Sequence, residues 1–168
     1  YMVDIWGADH HGYIKRMVAA IELLTGSSEM FDVDIVQMVR LISDGKEVKM
    51  SKRTGDAIGL RELCEETSVD AVRYFFASRS GNSHFDFDLD LATSQSNENP
   101  VYYAQYAHAR ICSILTIAKD LNLDDEYDVS LLVHEKELAL MKHLNDFIPL
   151  VRDAAQARAP HKVCLYIQ

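Results

Sequence analysis

The residue pattern changes at Asn99-Pro100, and this change constrains the fold more than any other feature of the sequence. Before it, strand-like and helix-like stretches alternate, whereas after it the pattern predicts helices only. Asn99 suits an N-cap, and Pro100 suits the first position of a helix. Ser, Thr and Asn cluster over 92–98, where we place a domain boundary. We therefore predict a mainly α chain with an α/β portion, divided into residues 1–94 and 95–168.

The first part opens with a strand, a turn and a helix. The residue pattern predicts a buried strand over 1–6 and a turn at Gly7-Ala8-Asp9-His10. It then predicts a helix over 13–24 that ends at Gly26. The pattern then predicts a strand over 32–42, a turn over 43–45, a short strand over 46–50, helices over 59–66 and 69–79, and an extended segment over 84–91. Ligands of α/β sheets bind at the carboxyl ends of strands, but a turn followed by an N-cap is the simpler interpretation of Gly7-Ala8-Asp9 taken alone.

The second part begins with one long helix that has two distinct faces. Its apolar stripe, which we expect to be buried, consists of Ala104, Ala107, Ile111, Ile114, Leu115, Ala118 and Leu121. Tyr102, Tyr106 and Arg110 fall on the opposite face. Exposed tyrosine and arginine side chains can stack on unpaired bases and hold phosphates, but packing against the first part is an equally good interpretation. Helices over 130–143 and 145–158 are predicted to follow.

Charge and composition limit the classes of function. The 168 residues carry a net charge of −9, which argues against a general nucleic-acid binder. Residues 40–61 reverse this sign with six basic and three acidic side chains, which favours a local site for a small polyanion. No apolar run is long enough to span a membrane, and three cysteines without a C-x-x-C pair are expected to be buried free thiols of a cytoplasmic protein.

The most informative stretch is Lys49-Met50-Ser51-Lys52-Arg53-Thr54-Gly55. Two lysines three residues apart, with a hydroxyl group between them, can clamp a phosphate chain and neutralise the charge of a pyrophosphate leaving group. The spacing is not that of a P-loop. For two lysines alone, a solvated basic loop is the simpler interpretation.

Two groups of possible metal ligands fail on their spacing. His10 and His11 could join Asp4 or Asp9, but no second ligand cluster supports them. Asp86, Asp88 and Asp90 open like a calcium loop, yet Leu91 and Asn97 occupy the positions where such a loop needs Gly and Glu. We therefore predict no metal site in the protein.

The lysine-containing loop resembles the K-M-S-K-S signature of class I aminoacyl-tRNA synthetases, with Arg53 at the last position. With the runs at 69–75, 85–90 and 99–110, the chain resembles arginyl-tRNA synthetase over nearly its whole length. The resemblance implies the C-terminal part of a Rossmann-like catalytic domain over 1–94 and the start of a helical-bundle anticodon-binding domain over 95–168. It also implies a monomer that activates arginine with ATP and Mg²⁺ and transfers it to the 3′ end of tRNA(Arg).

The resemblance also implies roles for individual residues. Lys49 and Lys52 would bind pyrophosphate, Ser51 would position the loop, and Met50 would lie near adenine. Asp9 would accept hydrogen bonds from the ribose, Gly7 would allow the nucleotide to approach the backbone, and His10 would adjoin it. Tyr102, Tyr106 and Arg110 would contact tRNA.

One expected motif is absent. Class I synthetases need a His-x-Gly-His motif, but here His11-Gly12 is followed by Tyr13, so we expect this segment alone to be inactive. The first alternative is a non-catalytic RNA-binding module or paralogue, and the second is a nucleotidyl transferase that acts on a small molecule. The two lysines and Asp9 count against the first alternative, and the tyrosine-rich helix counts against the second.

Overall fold

The computed structural model describes residues 1–48, 58–121 and 128–168. The elements in chain order are β1 (Met2–Gly7), α1 (Ile14–Thr25), β2 (Phe31–Val36), β3 (Val39–Ser43), β4 (Lys46–Glu47), α2 (Leu60–Glu66), α3 (Val69–Ala77), β5 (Phe85–Asp88), α4 (Leu89–Thr93), α5 (Pro100–Ile117), α6 (Glu135–Asn145), α7 (Phe147–Gln156) and α8 (His161–Tyr166). Short 3₁₀ helices cover Ala8–Tyr13, Ala118–Asp120 and Val129–Leu131. The described part is mostly helical with small sheets, which confirms a mainly α chain with an α/β portion.

The strands form two small sheets. In the first, β1 runs parallel to β2 from the pair Met2↔Phe31 to the pair Gly7↔Val36. In the second, the order is β4-β3-β5, with β3 antiparallel to β4 and parallel to β5. The predicted turn between β3 and β4 is confirmed, because Asp44 and Gly45 have φ values of 51° and 69°, as a tight hairpin turn requires.

Two predicted strands have the wrong extent. The single strand expected over 32–42 is two strands in different sheets, because the chain leaves the first sheet after Val36 and the Gln37 amide donates to the Gly81 carbonyl at 2.8 Å. The extended segment expected over 84–91 ends at Asp88. The Asp88 side chain accepts from the Leu91 amide at 2.9 Å and thereby caps α4.

The hydrophobic core lies between α3 and the second sheet. Phe87 of β5 is completely buried, and its ring centroid lies 5.3 Å from that of Phe75 on α3. Val101, in the first turn of α5, joins the same core. The adjacent Asn99 is buried, and it donates to the Ser94 carbonyl at 2.8 Å while accepting from the Val101 amide at 3.0 Å. The predicted N-cap is confirmed, and it joins α5 firmly to the first part.

Several expected burials are wrong. Ile5 in β1 is 70% exposed, so the strand expected to be buried has an exposed side chain within the described residues. The apolar stripe of α5 is exposed at Ile111, Ile114 and Leu115, since α5 packs mainly through its first turns. The three cysteines are free thiols as predicted, but only Cys164 is buried, whereas Cys64 is half-buried and Cys112 is exposed.

The chain ends in three helices rather than the two that the pattern predicts. α6 begins at Glu135, after the 3₁₀ turn at Val129–Leu131, and α7 agrees with the predicted helix over 145–158. The missed helix, α8, packs against α7 and α3. The Tyr166 ring stacks on His143 at 4.0 Å, and its hydroxyl donates to the His143 carbonyl at 2.6 Å, so α8 is also fixed to α6. In the portions that the structure describes, no helix combines the length and apolarity needed to cross a membrane.

Candidate functional site

Gly7, Asp9 and His10 lie together at the carboxyl end of β1. Gly7 is the last residue of the strand, and the 3₁₀ helix Ala8–Tyr13 carries the other two side chains. A Cβ atom on Gly7 would lie 2.6 Å from Asp9 Oδ1, so any larger residue would displace this carboxylate. The Asp9 side chain is 78% exposed, and its Oδ2 lies 3.5 Å from His10 Nε2. An exposed carboxylate at this position can accept hydrogen bonds from a ligand's hydroxyl groups.

A cavity of about 480 Å³ adjoins His10. It is lined by Trp6, His10, Tyr13, Arg16, Met17 and Ala20. The His10 and Tyr13 rings meet edge to face at 6.4 Å, and the Arg16 guanidinium lies 5.1 Å from the Tyr13 centroid. Apolar walls with a few polar groups are typical of small-molecule sites. The cavity was not predicted, although residues 10, 13, 16, 17 and 20 recur at the helical spacing of about three to four that places side chains on one face.

The four loop residues Lys49, Met50, Ser51 and Lys52 lie outside the described residues. Their flanks are fixed to the core: the Val48 amide donates to the Leu41 carbonyl at 2.8 Å, and Val48 and Ile58 both pack against the core cluster. On the far side, the Gly59 amide donates to Glu62 Oε2 at 2.8 Å and so begins α2.

One basic residue of the stretch 40–61, Arg40, is paired with a carboxylate, so the positive charge near the loop is smaller than the sequence of this stretch indicates. The Arg40 guanidinium donates through Nε and Nη2 to the two oxygens of Asp86, each at 2.7 Å, and these hydrogen bonds raise the pKa of Arg40. The excess of positive charge over 40–61 is therefore partly offset by a residue outside that range. The Asp86 carboxylate, the first of the D-x-D-x-D run, is thus engaged in a structural ion pair with Arg40.

The other two aspartates of the D-x-D-x-D run also have separate contacts. Asp88 caps α4, and Asp90 Oδ2 accepts from the Asp44 amide at 2.6 Å in the β3–β4 turn. Over residues 1–48, 58–121 and 128–168, no three His, Cys, Asp or Glu side chains are grouped closely enough to hold a metal ion.

Tyr102, Tyr106 and Arg110 form a continuous row on α5. The rings of Tyr102 and Tyr106 are nearly parallel, with centroids 6.5 Å apart. Arg110 Nη1 donates to Tyr106 Oη at 3.0 Å, and the guanidinium carbon lies 5.7 Å from the ring centroid. Tyr106 is 45% exposed, so its ring and the guanidinium are available to a ligand.

Other residues of α5 make the contacts with the first part. Gln105 Nε2 donates to Asp70 Oδ2 at 3.0 Å, and Tyr103 lines a cavity together with Phe75 of α3 and Leu165 of α8. Of the three residues expected to contact tRNA, Tyr106 and Arg110 are exposed to solvent, whereas Tyr102 is half-buried.

An ion-pair cluster that the sequence did not predict joins the two parts. Arg158, between α7 and α8, donates from Nε to Asp34 Oδ2 and from Nη2 to Asp34 Oδ1, each at 2.8 Å. Its Nη2 also donates to Asp32. These bonds raise the pKa of Arg158, and the same guanidinium lowers the pKa of Asp32. The partners are more than 120 residues apart in the chain, so local patterns carry no sign of the contact.

The geometry combines a polar site at the end of a parallel strand with helices that present aromatic and basic groups. Residues 104–168, which include most of these helices, match the family described as the DALR anticodon binding domain.

The relatives are more specific. The chain is 59% identical to arginine–tRNA ligase 2 of Bacillus thuringiensis subsp. konkukian and 57% identical to the arginine–tRNA ligase of Geobacillus kaustophilus, covering 98% of this chain in each case. It spans 30% of the length of these relatives. The resemblance to arginyl-tRNA synthetase is confirmed: nearly the whole chain is similar to a segment of these enzymes.

Solved structures agree with this assignment. The provisionally named arginyl-tRNA synthetase of Campylobacter jejuni matches with a TM-score of 0.84 at 36% identity, over 98% of this chain and 36% of that one. The arginyl-tRNA synthetase of Thermus thermophilus matches with a TM-score of 0.77 at 23% identity, over 98% of this chain and 30% of that one, and shows the shared fold.

Proposed function

We propose that this chain is a segment of an arginine–tRNA ligase, which activates arginine with ATP and transfers the arginyl group to the 3′ end of tRNA(Arg). The observation that carries the proposal is 59% identity to such a ligase across 98% of the chain. The segment would supply part of the nucleotide site and part of the RNA-binding surface. Because it lacks the His-x-Gly-His motif, it would need the remainder of the ligase for activity.

The nucleotide site would form around the end of β1. Asp9 would accept hydrogen bonds from the ribose hydroxyls, Gly7 would let the nucleotide approach the backbone, and His10 would contact the nucleotide beside the aromatic cavity. Lys49 and Lys52 would neutralise the developing charge on pyrophosphate, with Ser51 positioning the loop and Met50 near adenine. Mg²⁺ would arrive bound to the phosphates of ATP.

The RNA-binding surface would lie in the second part, over residues 95–168. Tyr102, Tyr106 and Arg110 would contact tRNA through stacking and phosphate binding. The proposed boundary after residue 94 falls between the end of α4 and the buried Asn99, just before the family match begins at 104. We propose a monomeric enzyme that acts in the cytoplasm.

The nucleotide role of Asp9 is tested in a full-length ligase that carries this segment. A hydrogen bond that involves a charged group contributes about 1.5–3 kcal/mol, so Asp9→Ala should raise the KM for ATP about tenfold or more. The assay is arginine-dependent ATP–pyrophosphate exchange with tRNA present. Glu22→Ala, which removes an exposed carboxylate from α1, is the matched control and should behave as wild type. A normal KM for ATP in Asp9→Ala would refute the assignment.

A further inference from the structure

The ion-pair cluster of Arg158, Asp32 and Asp34 lies outside the proposed nucleotide and RNA sites, yet it connects the two parts that carry them. We propose that Arg158 is a positioning residue that holds the α7–α8 corner on β2 and thereby fixes the nucleotide site for tRNA-dependent catalysis. This inference rests on the proposed function for its catalytic consequence. Its structural consequence can be measured separately.

The contact has the geometry of a specific pair rather than of a chance surface contact. Two guanidinium nitrogens of Arg158 face two oxygens of Asp34 at 2.8 Å, which fixes both distance and orientation. Asp32 and Asp34 alternate along β2, so their side chains lie on one face of the strand and share the same cation. Without Arg158, two neighbouring carboxylates would repel each other at this point.

Arg158 itself is held by the backbone of the α7–α8 corner. Its φ of 48° is unusual for a residue with a side chain, and the Ala159 amide bridges the corner by donating to the Ala154 carbonyl at 2.8 Å. Ala154, Ala159 and Cys164 are buried beneath the corner. The guanidinium therefore extends from a fixed support.

The strand that Arg158 holds, β2, is paired residue by residue with β1, and the proposed nucleotide site lies at the end of β1. Asp34 is paired with Ile5 in the parallel ladder, and two residues further on Val36 is paired with Gly7. Gly7 in turn allows the close approach of the Asp9 carboxylate. A shift of β2 therefore changes the position of Asp9, since the two strands move together through their backbone hydrogen bonds.

A second contact joins the two parts, so removal of the Arg158 side chain should shift the α7–α8 corner relative to β2 without separating the parts. The Tyr74 hydroxyl on α3 donates to the Cys164 carbonyl on α8 at 3.4 Å. The corner also borders a cavity of about 740 Å³ whose other walls include Gln37 and Gly81. Because the parts do not pack tightly there, the corner has room to shift when the ion pair is removed.

Arg158→Ala in a full-length ligase tests the proposal, with Arg158→Lys and Arg152→Ala measured alongside. Small displacements of reacting groups can lower rates by about 10²-fold, so we expect Arg158→Ala to lower the kcat for arginylation at least about tenfold. The KM for tRNA should change less than about threefold, because no RNA contact is removed. Lysine keeps the charge but loses the paired geometry and should recover activity only in part. Arg152→Ala, on the exposed side of α7, should match wild type.

A charge swap separates the pair from general destabilisation. Asp34→Arg combined with Arg158→Asp should restore more activity than either substitution alone retains, because the pair is rebuilt in reverse. A normal kcat in Arg158→Ala, or a loss confined to the KM for tRNA, would overturn the proposal. If the wild-type ligase does not arginylate tRNA, the proposed function fails. The positioning role is then judged by hydrogen exchange, which should be faster at the β2 amides in Arg158→Ala and unchanged if the role is wrong.

Discussion

Two regions differ in how much of their apolar surface is buried: the second sheet with α3, and the helices from α5 to α7. The first encloses an aromatic core around Phe87, which is completely buried. The second leaves large apolar side chains such as Ile114 and Ile148 more than half exposed. Stability of the described chain therefore comes mainly from the α/β portion. The helical part is positioned by a few specific links, among them Asn99, Tyr74 and Arg158.

Truncation of the buried core should have the largest effect on stability. Phe87→Ala removes a ring that packs against Phe75, Phe76 and Phe85, and should lower the free energy of unfolding by about 3–5 kcal/mol. Ile114→Ala, the matched change on exposed α5, should alter it by less than about 0.5 kcal/mol. Urea denaturation of both variants checks the comparison, and similar losses would show that the α5 stripe is buried in solution.

Substitution of the loop lysine should have the largest effect on catalysis. Lys52→Ala in a full-length ligase should lower arginyl-adenylate formation by about 10²–10³-fold, since a preorganised group opposite developing charge is removed. The melting temperature should stay near that of wild type. A near-normal rate of pyrophosphate exchange would exclude Lys52 from the catalytic role, and Lys46→Ala in the adjacent β4 is the control.

Loss of the exposed ring on α5 should affect RNA binding without affecting stability. Tyr106→Ala should weaken tRNA binding by about 1–3 kcal/mol, the usual contribution of an aromatic side chain that stacks on a base. Tyr106→Phe retains the ring and should stay close to wild type. Filter binding at one fixed salt concentration measures both variants, and equal affinity for all three proteins would indicate that this row does not contact RNA.

Replacement of Asp32 should have a smaller effect, which is seen in how the free energy of unfolding depends on pH in the acid range. Arg158 lowers the pKa of Asp32 below its usual 3.8, so the folded protein binds this proton less readily than the unfolded chain does. The resulting stabilisation is complete above pH 3.8 and is lost as the pH falls through the lowered pKa. Asp32→Asn should therefore be less stable than wild type at pH 6, and the difference should shrink toward pH 2. Urea midpoints across this range would show no such convergence if the ion pair does not form.

Local patterns predicted those features whose causes are local. The cap at Asn99, the helix end at Gly26 and the Asp44-Gly45 turn each depend on a few adjacent residues and are confirmed. The break at Gln37 was missed, because β-branched residues continue on both sides of it. The α4 helix was missed because alternation through Leu91 resembles a strand until the Asp88 cap is seen.

The residues of the candidate site also divide into those that are neighbours in sequence and those that only the fold brings together. Gly7, Asp9 and His10 are adjacent in sequence, and they lie at the end of β1 and in the 3₁₀ helix that follows it. Trp6 joins the cavity only because the helix folds over the end of the strand. The Arg158 pair with Asp34 depends on the packing of residues 124 positions apart, which no local spacing encodes.

We propose that the α/β portion carries nucleotide chemistry that the helical part directs to tRNA. The most direct measurement is transfer of labelled arginine to tRNA by a full-length ligase that carries this segment, with wild type and Asp9→Ala compared. We expect arginine on the tRNA 3′ end with wild type and a strongly reduced rate with Asp9→Ala at limiting ATP. Binding of tRNA without any arginyl transfer by the wild-type protein would contradict the proposed function and indicate a non-catalytic RNA-binding module.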